Sequence, residues 1–186
     1  MSTAKSTPRA PRFRVRQLTF SAVFLALALV LPFLTGQIPE IGSKLCPMHI
    51  PALLCGFVCG WPWGLAVGFL SPLLRSLILG MPPLFPTAAA MAFELATYGA
   101  VAGLLYRLLP RFRGRLYAVL LAAMLSGRVV WGVVRLVLAG LASSAFTWQA
   151  FITGAVVSAI PGIILQLVII PPIVAVLDKA GLTLNK

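Results

Sequence analysis

The chain has 186 residues, of which 60% are hydrophobic and only 10% charged, with a formal net charge of +12. Soluble domains carry roughly 25% charged residues, so this composition excludes an ordinary soluble fold and fits one compact helical membrane domain. The positive charge does not point to nucleic acid, because it is collected at the ends of apolar runs. Lys5, Arg9, Arg12, Arg14 and Arg16 precede the first run, Arg107, Arg111, Arg113 and Arg115 fill one loop, and Lys179 and Lys186 close the chain. Cytoplasmic segments gather Lys and Arg, and here they would lie against anionic headgroups.

Residues 1–16 read as a polar, basic, disordered tail, and residues 17–36 as a first span of about 30 Å at 1.5 Å per residue. The run is longer than a signal-peptide core and no A-x-A site follows it, so it is read as a retained helix. Ala22 and Ala26 form a small-xxx-small pair with Ser21 and Ala28 nearby. Such a pair suits either internal packing or the docking of another membrane subunit.

The connection 37–45, with Glu40 and Lys44, is placed outside; helix 2 follows over 47–60 and helix 3 over 62–80, joined at the corner Trp61-Pro62-Trp63. Glycine recurs every fourth residue at Gly56, Gly60, Gly64 and Gly68, which strips bulk from one face and lets two backbones approach. Helix 2 spans only about 21 Å, short of a hydrocarbon core of ~30 Å. It must thin the bilayer, sit among longer neighbours or borrow length from its flanks. Cys46, Cys55 and Cys59 give no disulfide framework, and one histidine without a nearby carboxylate leaves them short of a zinc ligand set.

After the turn Met81-Pro82-Pro83-Leu84-Phe85-Pro86 come helix 4 over 84–108, helix 5 over 115–141 and helix 6 over 149–178. A kink is expected at Pro161-Gly162, and Pro171-Pro172 are a candidate break near the inner end. Six spans put eleven of the fifteen Lys and Arg on one side, three within helices and only Lys44 outside. The expected fold is therefore an all-α integral membrane bundle of six helices over 17–180. Both termini are cytoplasmic, and a short tail occupies 181–186.

Arg75, Glu94, Arg128 and Arg135 lie inside apolar segments, where ionisable residues mark function by default. Counted from the outer helix ends, Arg75 lies about 7 Å deep, Arg135 about 9 Å and Glu94 about 12 Å, with Arg128 nearer the middle. Arg75 and Glu94 can form a structural ion pair, and Arg75 and Arg135 can cap outer helix ends. Arg128 and Arg135 share a stripe with Trp131 between them, a surface suited to an amphipathic anion. One carboxylate cannot neutralise three guanidiniums. Arg128, too deep to cap a helix end, is accordingly expected to meet pocket water or a ligand oxygen pair. His49 at the start of helix 2, Tyr98 one turn after Glu94, and Gln166 and Ser158 on helix 6 can complete the site or bond between helices. No G-x-x-x-x-G-K-[ST], G-x-S-x-G or H-E-x-x-H motif occurs, and no repeated polar pore lining is evident. No catalytic residue, cofactor or metal is expected.

The stretches PMHIPALLCGFVCG, VGFLSPLLRSLILGMPPLFP and AMAFELATYGAVAGLLY carry a resemblance that runs through all six predicted spans. The chain resembles the substrate-binding S component of an energy-coupling-factor (ECF) vitamin transporter, most nearly the pantothenate- and cobalamin-specific ones. The resemblance implies a six-helix binder in a prokaryotic cell membrane with its pocket near the outer surface. It also implies a transmembrane scaffold subunit and two cytoplasmic ATPases as partners, with ATP hydrolysed there and not in this chain. The loaded S component then topples to carry its pocket inward, and an A-x-x-x-A surface, matched by Ala22 and Ala26, docks the scaffold. The expected ligand is a vitamin or related micronutrient, a pantothenate-like carboxylate before cobalamin or a queuosine precursor. A self-sufficient secondary transporter and a membrane scaffold protein without a ligand are the alternatives.

Overall fold

Every residue of the short helix His49–Cys59 is buried. In this computed structural model, which describes residues 11–35, 47–110, 112–141 and 160–185, it is the second of six α-helices among those residues. These are α1 Pro11–Val30, α2 His49–Cys59, α3 Trp61–Leu79, α4 Ala89–Leu108, α5 Arg115–Leu141 and α6 Ile160–Lys179. No strand occurs among the described residues. All helices except α2 are long and apolar enough to cross a membrane. At about 1.5 Å per residue α2 is only half as long as a hydrocarbon core is thick. It avoids mismatch because α1, α3, α4 and α6 pack around it. Of the three accommodations open to a short helix, this bundle uses longer neighbours.

The glycine spacing explains how three backbones meet. A Cβ at Gly56 or Gly64 would strike the carbonyl of Gly99, and one at Gly68 would strike that of Leu95. The expected close approach of α2 and α3 is real, and α4 is the third member of the contact. Gly60 serves differently: its φ of 99° makes the tight corner between α2 and α3, a conformation that L side chains rarely adopt.

A buried helix end leaves carbonyls without intrahelical partners, and α2 finds donors for its last turn across the fold. Gln17 Nε2 donates to Cys59 O at 2.8 Å, the amide of Leu184 donates to Val58 O at 2.7 Å, and Asn185 Nδ2 donates to Gly56 O at 3.3 Å. Asn185 also donates to Gly103 O at 2.8 Å, so residues 183–185 are buried against the ends of α2 and α4. The start of α1, through Gln17, and residues 184 and 185 thus meet at one end of α2.

Helix α1 turns Gln17, Ser21, Phe24 and Ala28 inward, and leaves Ala22 and Ala26 exposed with Val15, Leu18, Val23 and Leu27. Leu121, Leu125, Val129 and Val133 of α5 and Ile164 and Val168 of α6 are likewise exposed, as lipid-facing stripes. Between them lies a core built on Leu53, Phe57, Val58, Tyr98, Leu120 and Ile170, in which Phe57 and Tyr106 meet edge to face at 5.2 Å. Cys55 and Cys59 are buried free thiols, Cys55 Sγ lying 3.6 Å from Ser21 Oγ.

The structure departs from the sequence reading at three boundaries. Helix α1 begins at Pro11, so residues 11–16 are helical and not a disordered tail; proline is well suited to a first helical position. Phe85 is extended (φ −119°, ψ 135°), so the turn Leu84–Ala88 is irregular and α4 proper begins at Ala89. Helix α6 continues through Pro171 and Pro172 without a break. Breaking it there would free backbone groups that find no water in a bilayer, whereas each proline removes only one bond. Residues 1–10, the connections 37–45 and 142–148, and the segment 149–159 with Ser158 lie outside the described residues; so do Cys46 and Arg111.

Candidate functional site

Glu94 lies on the inner face of α4 and is 1% exposed. Its Oε1 gathers three side chains from three helices. Tyr98 Oη, one turn further along α4, donates at 3.0 Å. Arg128 Nη1 on α5 approaches to 2.8 Å. His49 Nε2, at the first residue of α2, lies 3.5 Å away, and its ring packs on that of Tyr98 with centroids 5.2 Å apart.

Local sequence makes this convergence possible. Residues 94 and 98 are four apart on one helix and share a face. On α5 the residue before Arg128 is Gly127, and a Cβ there would strike the Tyr98 ring. The missing side chain lets the ring lie flat against α5 and brings Arg128 to the carboxylate. Gly127 was not anticipated. Its signal was a glycine beside a charged residue in the middle of a long apolar helix, where glycine costs about 1 kcal/mol relative to alanine unless packing requires it.

The fold also leaves buried polar atoms open, among them one in the cluster and one on α6. His49 turns Nε2 toward Glu94, while its Nδ1 has no hydrogen-bond partner among the described residues, and the same holds for Oε1 of Gln166 on α6; both residues are 2% exposed. Buried polar groups are nearly always satisfied, and an unsatisfied one costs about 1–3 kcal/mol. Such groups suit a bound molecule or water.

The arginines are distributed differently from the sequence expectation. The Arg75–Glu94 ion pair does not form: Arg75 Nη1 donates to Leu29 O at 2.7 Å, and its guanidinium sits 5.3 Å from the Phe33 ring. Leu29 is in the last turn of α1, whose carbonyls lack intrahelical partners, so Arg75 caps a neighbouring helix and not its own. Nor is Arg128 left to water or ligand alone, because its guanidinium faces Glu94. Counting depth from helix ends placed these two residues in different layers, since it ignores the stagger of helices against one another. Arg135 lies over the Trp131 ring at 5.7 Å, one helical turn apart on the stripe that Arg128 begins. His49, Tyr98, Glu94 and Arg128 are therefore brought together, Trp131 and Arg135 form a second pair on α5, and Arg75 of α3 stands apart against the end of α1.

Among the described residues no group of His, Cys, Asp and Glu could hold a metal. The cluster offers instead a neutralised carboxylate, an imidazole and a phenol; the Trp131–Arg135 pair lies further along α5 and the Gln166 amide is on α6, residue types that suit the binding of a small molecule. The family described as ECF transporter, substrate-specific component, matches residues 16–174. The chain is a member of this family of ECF S components. A comparison with curated proteins finds no match. The S component's matched segment contains the whole cluster, the Trp131–Arg135 pair, Arg75 and both exposed alanines of α1. As an ECF S component with five membrane-length apolar helices among the described residues, it is a multi-pass membrane protein whose part in transport is substrate specificity, not catalysis.

Proposed function

We propose that this S component binds a small amphipathic micronutrient bearing an anionic group and delivers it across the prokaryotic plasma membrane. A transmembrane scaffold subunit and two cytoplasmic ATPases are its partners, and ATP is hydrolysed in the latter. The observation that carries this reading is the convergence of His49, Glu94, Tyr98 and Arg128, together with the open buried atoms Nδ1 of His49 and Oε1 of Gln166. Arg128 neutralises Glu94, so an incoming carboxylate meets no net negative charge there. Trp131 supplies an apolar face and Arg135 a planar fork that can hold a carboxylate bidentately. A pantothenate-like carboxylate fits this better than cobalamin or a queuosine precursor, because Arg128 already faces Glu94 and Arg135 adds one more positive charge on the same stripe of α5.

Titration of pantothenate into the purified protein tests the assignment. Arg135→Ala should weaken binding by about 1.5–3 kcal/mol, roughly ten- to a hundredfold, and Arg135→Lys by less, since lysine keeps the charge without the fork. Equal affinities in all three proteins remove Arg135 from the site.

The scaffold would dock at Ala22 and Ala26, whose exposure on the outer side of α1 leaves them available to a neighbouring helix. Both termini would face the cytoplasm, where the basic segments gather. Labelling of single cysteines at 112–115 by an impermeant reagent applied from outside would refute that orientation.

A further inference from the structure

At the opposite end of α4 from Glu94 lies a cavity of about 340 Å³, beside the start of α5 and residues 183–185. It is lined by Tyr106, Arg107, Arg115, Asp178, Thr183 and Asn185, among others. Two arginines face one carboxylate, and no ion pair joins Asp178 to either arginine among the described residues. The Arg115 guanidinium is stacked 3.9 Å over the Tyr106 ring, which fixes its plane. Its Nε is buried without a hydrogen-bond partner among the described residues. Thr183, only 4% exposed, likewise has a buried Oγ1 with no partner. Asn185 is held by its two bonds to Gly56 O and Gly103 O, so this wall of the cavity is tied to the ends of α2 and α4. Helix α5 starts at Arg115 with no acidic residue in its first turn, so its positive end is not offset by a side chain there.

We propose that this cavity binds a phosphate group, carried by the headgroup of an anionic phospholipid or as free phosphate. A fixed guanidinium plane, a second arginine, an open hydroxyl donor and a helix N-terminus are complementary to tetrahedral oxyanions. The volume lies within the range of small-molecule sites. Occupancy joins the α4–α5 connection to the segment 183–185, and through Asn185 and Leu184 to the carbonyl end of α2. Asp178 is the acidic member of the lining and opposes the anion, so its removal strengthens binding.

The full-length protein in neutral detergent is titrated with short-chain phosphatidylglycerol and, separately, with inorganic phosphate. Hydrogen exchange at residues 182–185 is the readout. Saturable protection is expected, weakened about tenfold or more by Arg115→Gln and strengthened by Asp178→Asn. Saturation by the lipid but not by phosphate assigns the site to a headgroup; saturation by phosphate itself assigns it to the soluble ion, and either supports the proposal. No saturable protection with either probe overturns it, as do equal affinities in wild type and both variants. A gain of affinity in Asp178→Asn cannot arise from misfolding, which keeps the result informative if Arg115→Gln is unstable.

Discussion

Glu94 Oε1 and Arg128 Nη1 meet at 2.8 Å between α4 and α5, the carboxylate side chain 2% exposed and the guanidinium side 15%. Each accounts for the other's place in an apolar bundle, since an isolated charge there is expensive and arginine keeps its proton. The pair also fixes geometry. Tyr98 and His49 converge on the same carboxylate oxygen, so the register of α2, α4 and α5 is set at one point.

Glu94→Gln should therefore destabilise the protein by about 3–5 kcal/mol, because it removes the carboxylate facing a buried guanidinium. The double substitution Glu94→Gln with Arg128→Gln should cost less than the sum of the two single ones. Thermal unfolding in detergent reads both. Additive effects would mean that the two charges do not interact.

Gly56→Ala should destabilise by about 1–3 kcal/mol, since the new methyl strikes the Gly99 carbonyl and backbone must move. Gly140→Ala, where nothing lies within 4 Å, should be neutral or slightly stabilising. Unfolding temperatures of the two variants compared with wild type decide this, and similar shifts would argue against the three-backbone contact.

Much of this was legible in the sequence because the bilayer enforces strong patterns. The helix count followed from apolar length and its interruptions, and the glycine spacing announced a close approach. The partner of that approach was not legible, since Gly56 does not reveal that Gly99 lies opposite. The site shows the same limit. Residue types and shared faces singled out His49, Glu94, Tyr98 and Arg128, but pairing depends on stagger between helices. Arg75 and Glu94 looked like partners from depth alone, yet Arg75 bonds to the Leu29 carbonyl. A backbone carbonyl leaves no trace in the side-chain pattern.

Arg75→Met should loosen the end of α1 without affecting the ligand site. It loses a charged hydrogen bond to Leu29 O, a contribution of about 1.5–3 kcal/mol. Hydrogen exchange over residues 29–33 should accelerate while ligand affinity stays unchanged. A large loss of affinity would place Arg75 in the pocket.

Ala26→Trp should abolish ATP-driven uptake in the complete transporter and preserve ligand affinity. The exposed face of α1 tolerates bulk in the isolated S component, but a docked helix would be pushed away. Normal uptake would assign docking to another surface, and lost affinity would make Ala26 part of the binder's own packing.

The most direct test is to release the small molecules carried through purification and identify them by mass spectrometry. Wild-type protein should retain an amphipathic carboxylate of pantothenate-like size, and Arg135→Ala and Glu94→Gln, matched for folded fraction, should retain far less. Absence of any retained molecule, with no response to added pantothenate, would contradict an anionic-micronutrient site at this cluster. Equal retention by the wild type and both variants would place the ligand elsewhere.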